Sequence, residues 1–305
     1  MTSLVPRVES LATLPTLPKA AQLHGWRRTW YRFRQRKSAV VALAFVLLMV
    51  LVGILAPVLA PHDPSDQLFL QDRFAGFSGD HLLGTDHLGR DVLSRMMFGL
   101  RTSLLACLLA VVISVTAGFI IGVLSGYIGG IVDSLLMRLV DGILSIPGLL
   151  MVMAIVGILG PGLRNAMIGL SIVFTPVFAR LVRGQVLSTK EDVYVEAARV
   201  MGAKDSRIVF RHIVPNSIAP IIVQALMTMG LALLVEGTLA YLGLSVKPPK
   251  TSLGSLLQNG FAFKERSQRM IWLPGLAITA LSWAFNVIAD GLRDAIGRQE
   301  IGGGA

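Results

Sequence analysis

Apolar residues in this chain are gathered into long runs separated by polar stretches. The runs lie at about 38–60, 103–127, 131–159, 165–187, 217–242 and 270–292. A helix of about 20 apolar residues crosses a hydrocarbon core about 30 Å thick. The pattern therefore predicts an all-α membrane protein with six transmembrane helices. The first run is longer than the roughly 7–15 residues of a signal-peptide core. It follows a basic leader of Arg27, Arg28, Arg32, Arg34, Arg36 and Lys37, and Pro61 comes directly after its only small-residue end, so it is expected to stay as an anchor.

Charge sets the expected orientation, because cytoplasmic segments concentrate Lys and Arg. Residues 61–101 hold four basic residues against six acidic ones and are assigned outside, whereas 180–216 hold seven basic residues and are assigned inside. The expected organisation is a basic cytoplasmic tail (1–37) and a first span (38–60), followed by an extracytoplasmic segment (61–102). A core (103–294) then carries five spans and a cytoplasmic segment at 188–216, before a C-terminal tail (295–305). Both termini then lie in the cytoplasm. Composition agrees with a membrane chain: 53% of residues are hydrophobic and 15% charged, against about 25% charged in soluble domains. The net charge of +10 fits basic cytoplasmic segments better than nucleic-acid binding, for which no soluble fold is present to carry a basic stripe. Cys107, the single cysteine, lies inside an apolar run and gives neither a disulfide nor a metal site.

Within the spans, Gly118, Gly122 and Gly126 recur every four residues, with Gly130 continuing the row. Such a row lets a second helix approach closely in lipid, although glycine is also simply common in membrane helices. Asp141 and Pro147 sit in the third run, where proline predicts a kink midway. A local pair with Arg138 and a place on a passage through the bilayer explain Asp141 equally well. Glu236 is deep in the fifth run, where an ionisable group is costly and a functional candidate by default. It either faces the pathway or is a carboxyl kept neutral or bonded to a partner subunit. Asn286 and Asp290 are expected to be helix-packing or surface groups.

The polar stretch at 188–216 holds the most informative pattern. Ser188 and Glu191 have capping-box spacing. Tyr194, Ala197, Ala198 and Met201 fall on one helical stripe, and Gly202 suits the position just past a helix end. Asp205 or Ser206 can cap a second short helix bearing Ile208, Val209, His212 and Ile213, which Pro215 would stop before Asn216 or Ser217 caps the next span. The product is a small docking knob between two spans, with Ala197 and Ala198 permitting close approach and Glu196 offering a charge. The alternatives are a DNA-binding helix-turn-helix and an inert interfacial helix.

The run Glu196-Ala197-Ala198-Arg199-Val200-Met201-Gly202-Ala203, followed by Ile208, His212, Pro215 and Asn216, resembles the EAA loop of binding-protein-dependent ABC importer permeases. Residues 81–95 are similar to the outer segment of peptide and nickel permeases. Leu273-Pro274-Gly275 through Asp290-Gly291-Leu292-Arg293-Asp294 resembles their closing helix. The leader, single span and outer loop before the core look like the C-type subunit of peptide permeases, and the likeness covers about 27–297. It implies a type I ABC importer permease fold, with Glu196, Ala197, Ala198, Gly202, Ala203, Ile208 and Pro215 coupling to an ATPase. It also implies a second permease subunit, two cytoplasmic ATPase subunits and an extracytoplasmic peptide-binding protein as partners.

No Gly-Lys dipeptide occurs, so no phosphate-cradling G-x-x-x-x-G-K-[ST] loop is expected, and neither H-E-x-x-H nor G-x-S-x-G appears. The chain is expected to be non-catalytic and without a cofactor of its own, with ATP and Mg held by the partner ATPases. His81 and His87, on the outer segment, either contact a metal or are solvated loop residues, and the latter is the expectation. The expected role is translocation of di- or oligopeptides across a bacterial inner membrane. Nickel or another small solute is the alternative within the class. An ion-gradient-driven transporter and a membrane-anchored structural or signalling protein are the alternatives outside it.

Overall fold

The computed structural model describes residues 26–66 and 72–297. The first 25 residues and those beyond 297, which include most of the expected C-terminal tail, lie outside the described residues, as do 67–71. The regular structure among the described residues is helical, apart from one isolated bridge pairing Thr85 and Asp91. In chain order the helices are α1 Trp26–Gln35, α2 Lys37–Leu59, α3 Val92–Ile128, α4 Gly130–Leu144, α5 Gly148–Leu159 and α6 Leu163–Lys190. They continue with α7 Val193–Val200, α8 Asp205–Ile208, α9 Val214–Tyr241, α10 Leu253–Ala262 and α11 Arg269–Gly297.

Five helices, α2, α3, α6, α9 and α11, are each long and apolar enough to cross a membrane. The expected third span is different. It was expected to be one kinked helix, but α4 and α5 are separate helices meeting at 89°. Pro147 supplies the reason, since it has no N–H to continue the helix and disfavours helical geometry in the residue before it. The Ser145 hydroxyl then donates to the Gly142 carbonyl at 2.7 Å, satisfying the frayed end of α4.

The glycine row works as a contact surface. A Cβ on Gly118 would lie 2.5 Å from Phe178 Cβ, one on Gly122 would lie 2.6 Å from the Ala179 carbonyl oxygen, and one on Gly126 would lie 2.8 Å from Val186 Cβ. Helices α3 and α6 thus meet backbone to backbone, the arrangement small residues allow in lipid. Gly130 does not continue the row: both Gly129 and Gly130 have positive φ and turn the chain into α4 with open space around them. Around this pair, Leu170 and Phe178 of α6, Leu233 and Leu239 of α9, Leu253 of α10 and Leu281 of α11 are fully buried in one apolar core.

One boundary moves relative to the sequence expectation. Helix α3 begins at Val92 rather than near 103, so its 37 residues run about 55 Å, well past a hydrocarbon core. The reason is Asp91, whose carboxylate accepts from Ser94 N–H at 2.7 Å and caps the helix early. The stretch 243–269, which lies between the last two apolar runs, holds α10, whose Ser252 and Ser255 form a reciprocal capping box.

The segment before α3 folds around Asp86. This buried carboxylate accepts from Leu88 N–H at 2.8 Å, Arg90 N–H at 3.0 Å and Arg90 Nε at 2.8 Å, with Arg95 Nη1 3.4 Å away. Gly84 and Gly89 bracket it with positive φ, which explains the Gly84-Thr85-Asp86 and Gly89-Arg90-Asp91 spacing. Arg269, at the start of α11, donates to the Phe74 and Ala75 carbonyls and fixes this cap onto the helices.

Candidate functional site

Helix α7 ends in a Schellman turn: Gly202 N–H donates to Arg199 O and Ala203 N–H to Ala198 O, both at 3.0 Å, with Gly202 at φ +80°. The start of α7 departs from expectation. Ser188 lies inside α6, which runs to Lys190, and Asp192 takes the N-cap position, so no capping box forms from Ser188 and Glu191. The buried stripe is also rotated. Val195 and Ala198 face inward with Ile208 and Ile213, against Val182 and Val186 of α6, while Tyr194, Ala197 and Met201 are exposed. Val195, fully buried against Val182 and Val186, sets the register.

Pro215 does not stop the second helix. From Asp205 to Tyr241 the chain is continuously helical, with a π-turn at Val209–Ile213 in which Val214 N–H donates to Val209 O. A proline at 215 removes the donor to residue 211 and crowds that carbonyl, and widening the preceding turn accommodates the ring. Asn216 and Ser217 therefore cap nothing. Asn216 Nδ2 donates to the Tyr194 hydroxyl at 2.8 Å, and Ser217 Oγ donates to Ile213 O.

The knob at 193–203 has an outer face and an anchored one. Glu196, Ala197 and Gly202 are exposed, with Val193, Val200 and Met201 beside them, while Ala203 is half-buried, Pro215 exposed and Ile208 buried. Glu196 makes no ion pair among the described residues. On the anchored side, the Tyr127 hydroxyl of α3 donates to Asp205 at 2.5 Å, and Lys190 Nζ donates to Tyr127 O at 3.0 Å. The Asn216–Tyr194 bond ties the knob to α9, the Tyr127–Asp205 bond ties the helix that follows it to α3, and Lys190 ties α6 to α3 beside them. The partners are far apart in the chain, so their pairing carried no sequence signal.

Asp141 pairs with Arg180 of α6 at 2.5 Å, and Arg138 is not its partner. Nearby, Arg183 grips Asp133 through Nε and Nη2, both at 2.7 Å, so two ion pairs hold α4 along α6. Pro147 is exposed at the break. Glu236 is 1% exposed and is bonded within its own chain, to Ser103 Oγ of α3 at 3.0 Å and Ser245 Oγ at 3.1 Å. Ser103 Oγ in turn accepts from Leu253 N–H at the start of α10, so the carboxyl joins α3, α9 and α10. Replacing Glu236 with Gln is expected to keep these bonds. Glu236→Leu strands two hydroxyl donors at a cost of about 1–3 kcal/mol. Thermal unfolding of the detergent-solubilised protein checks this, and equal melting of the two variants would refute it.

His81 and His87 are both half-buried, not solvated as expected, and they make different contacts. His87 stacks on Phe263 with ring centroids 4.6 Å apart, and burial lowers its pKa, whereas His81 bonds Asp91. Asn286 of α11 packs beside Gly230 of α9, and Asp290 is exposed, as expected of helix-packing and surface groups.

Residues 118–300 match the family described as binding-protein-dependent transport system inner membrane component, and residues 25–76 match the N-terminal TM domain of oligopeptide transport permease C. The chain is 40% identical to a dipeptide transport system permease protein of Haemophilus influenzae, over 88% of this chain and 92% of that one. It is 42% identical to a di/tripeptide transport system permease protein of Pseudomonas aeruginosa, over 88% and 90%. It is also 39% identical to a glutathione transport system permease protein of Pectobacterium atrosepticum, over 95% and 96%. Among solved structures, the inward-facing MetNI methionine ABC transporter shares the fold at a TM-score of 0.55, covering 67% of this chain and 97% of that chain at 19% identity. With its apolar helices and its knob packed on α6 and bonded to α9, the chain is a multi-pass membrane protein that belongs to the family of binding-protein-dependent transport system inner membrane components.

Proposed function

We propose that this chain forms one half of a heterodimeric translocation pathway that imports di- or oligopeptides across a bacterial cytoplasmic membrane. It is a non-catalytic subunit, with both termini in the cytoplasm. Two separate ATPase subunits bind ATP and Mg, a second permease subunit completes the pathway, and an extracytoplasmic binding protein delivers the peptide. The observation that carries the coupling role is the knob at 193–203. Its outer face of Glu196, Ala197 and Gly202 is free to enter a cleft on an ATPase, and its inner face packs on α6 through Val195 against Val182 and Val186. A displacement at Gly202 therefore reaches α6 through this packing, α9 through the Asn216–Tyr194 bond and α3 through the adjoining Asp205–Tyr127 bond. The exposed apolar faces of α4 and α5, including Ile131, Leu135 and Ile158, offer a surface to the second permease subunit. Substrate class follows the peptide and glutathione permeases to which the chain is 39–42% identical.

The test is affinity purification of the chain from its native membrane. Two ATPase chains and a second permease are expected to copurify, and peptide uptake is expected to cease when the gene is removed. Recovery without an ATPase would defeat the proposal, as would peptide uptake that persists after deletion.

A further inference from the structure

We infer that His62, His81 and Asp91 form a binding site for a divalent transition-metal ion of the zinc type. His62 follows the end of α2 by three residues, His81 lies in the cap, and Asp91 opens α3, so the three come from different parts of the fold. Each offers one ligand atom, and these atoms lie within 4.8 Å of one another. His81 Nδ1 and Asp91 Oδ1 are 3.0 Å apart, and the His62 and His81 rings are 4.8 Å apart between centroids, tilted by 38°. Ligands on a tetrahedral zinc ion with bonds of about 2.0–2.1 Å sit about 3.3 Å apart, so only His62 and its neighbours need to close, by about 1.5 Å at most. Rotation of one imidazole supplies that movement.

The site is held in place by its surroundings. Asp91 uses its other oxygen to cap α3 through Ser94 N–H, and Ser94 Oγ accepts from His62 N–H at 3.1 Å. His81 N–H donates to Ser78 Oγ at 3.0 Å, and Ser78 N–H donates back to His81 O at 3.0 Å. Carboxylate and helix start are thus fixed together, as outer partners fix metal ligands. Within the cluster, His62 Nδ1 is buried with no hydrogen-bond partner, a state that costs free energy unless something occupies it. Two imidazoles and one carboxylate suit zinc, nickel or copper ions, and suit calcium or magnesium poorly. Three protein ligands leave a fourth position open. Bound there, the ion would brace the end of α2 against the start of α3.

The full-length chain, carrying an affinity tag without histidines, would be stripped with chelator in lipid nanodiscs and titrated with zinc by calorimetry. One zinc ion per chain is expected to bind. His62→Gln and His81→Gln are each expected to weaken binding at least tenfold, the range seen when a ligand's support is lost. His62→Gln removes no hydrogen bond made by the ring, so its folding is expected to match wild type, and zinc is expected to raise the melting temperature of the parent but not of this variant. Absence of zinc binding to the parent overturns the inference. So does zinc binding that is unchanged in His62→Gln, which would assign the ion to other histidines. The readouts are independent of transport, so failure here leaves the importer proposal standing.

Discussion

Replacing Gly122 with leucine is expected to abolish accumulation of the folded protein. A Cβ at this position would sit 2.6 Å from the Ala179 carbonyl oxygen, 2.7 Å from Val182 Cβ and 3.0 Å from Arg183 N. Two of these three atoms are backbone within α6 and cannot rotate away. Relief requires the whole of α6 to move off α3, and that motion opens the core around Phe178 and pulls on the Arg183–Asp133 pair. Overpacking a core by a few methylenes costs about 1–3 kcal/mol when side chains can yield, so a backbone clash places the cost at the upper end of that range or above it. Gly157→Leu on α5 is the control, because nothing lies within 4 Å of a Cβ there, and leucine is a better helix former than glycine. Fluorescence-detected gel filtration of the two variants decides the matter. A Gly122→Leu profile that matches wild type would show that the α3–α6 contact is not the structural seam it is taken to be.

The opposite outcome is expected at Gly202, where function is lost while the fold survives. Its φ of +80° with no atom within 4 Å of a Cβ means that a side chain there meets open space. The local penalty is only the left-handed strain of about 1–2 kcal/mol. Gly202→Trp projects a large ring from the outer face of the knob, into the volume that the proposed ATPase cleft would occupy. Peptide uptake is expected to fall at least tenfold, equivalent to about 1.4 kcal/mol or more of lost docking, with the amount of protein in the membrane unchanged. Gly202→Ala carries the same strain with almost no bulk and is expected to retain most uptake. If both variants transport normally, the knob is not a coupling surface. If both fail equally, the turn conformation matters rather than the space around it.

These two glycines look alike in the chain and differ in what surrounds them. The four-residue spacing of Gly118, Gly122 and Gly126 pointed to one helix face, and that face became the seam with α6 because it is formed within a single helix. Gly130 had the same spacing but fell beyond the turn at Gly129, where periodicity no longer applies. Near Gly202, the turn was legible from the residue type, while the stripe on α7 was misplaced by one position. An eight-residue helix is too short for periodicity alone to choose between Tyr194 and Val195 as the buried residue, and only the pocket made by Val182 and Val186 resolves it.

What the sequence determined by itself was whatever depends on neighbours within a few turns: the apolar runs, a bend at Pro147, the turn at Gly202 and the resemblance carried by 196–203. What only the tertiary structure decided were pairings between residues remote in the chain. Asp141 chose Arg180 over the nearer Arg138, Tyr127 met Asp205, and Glu236 found Ser103 and Ser245. A buried or half-buried polar group takes whichever partner the packing brings within about 3 Å. That choice is made by how helices cross, and no local spacing encodes it.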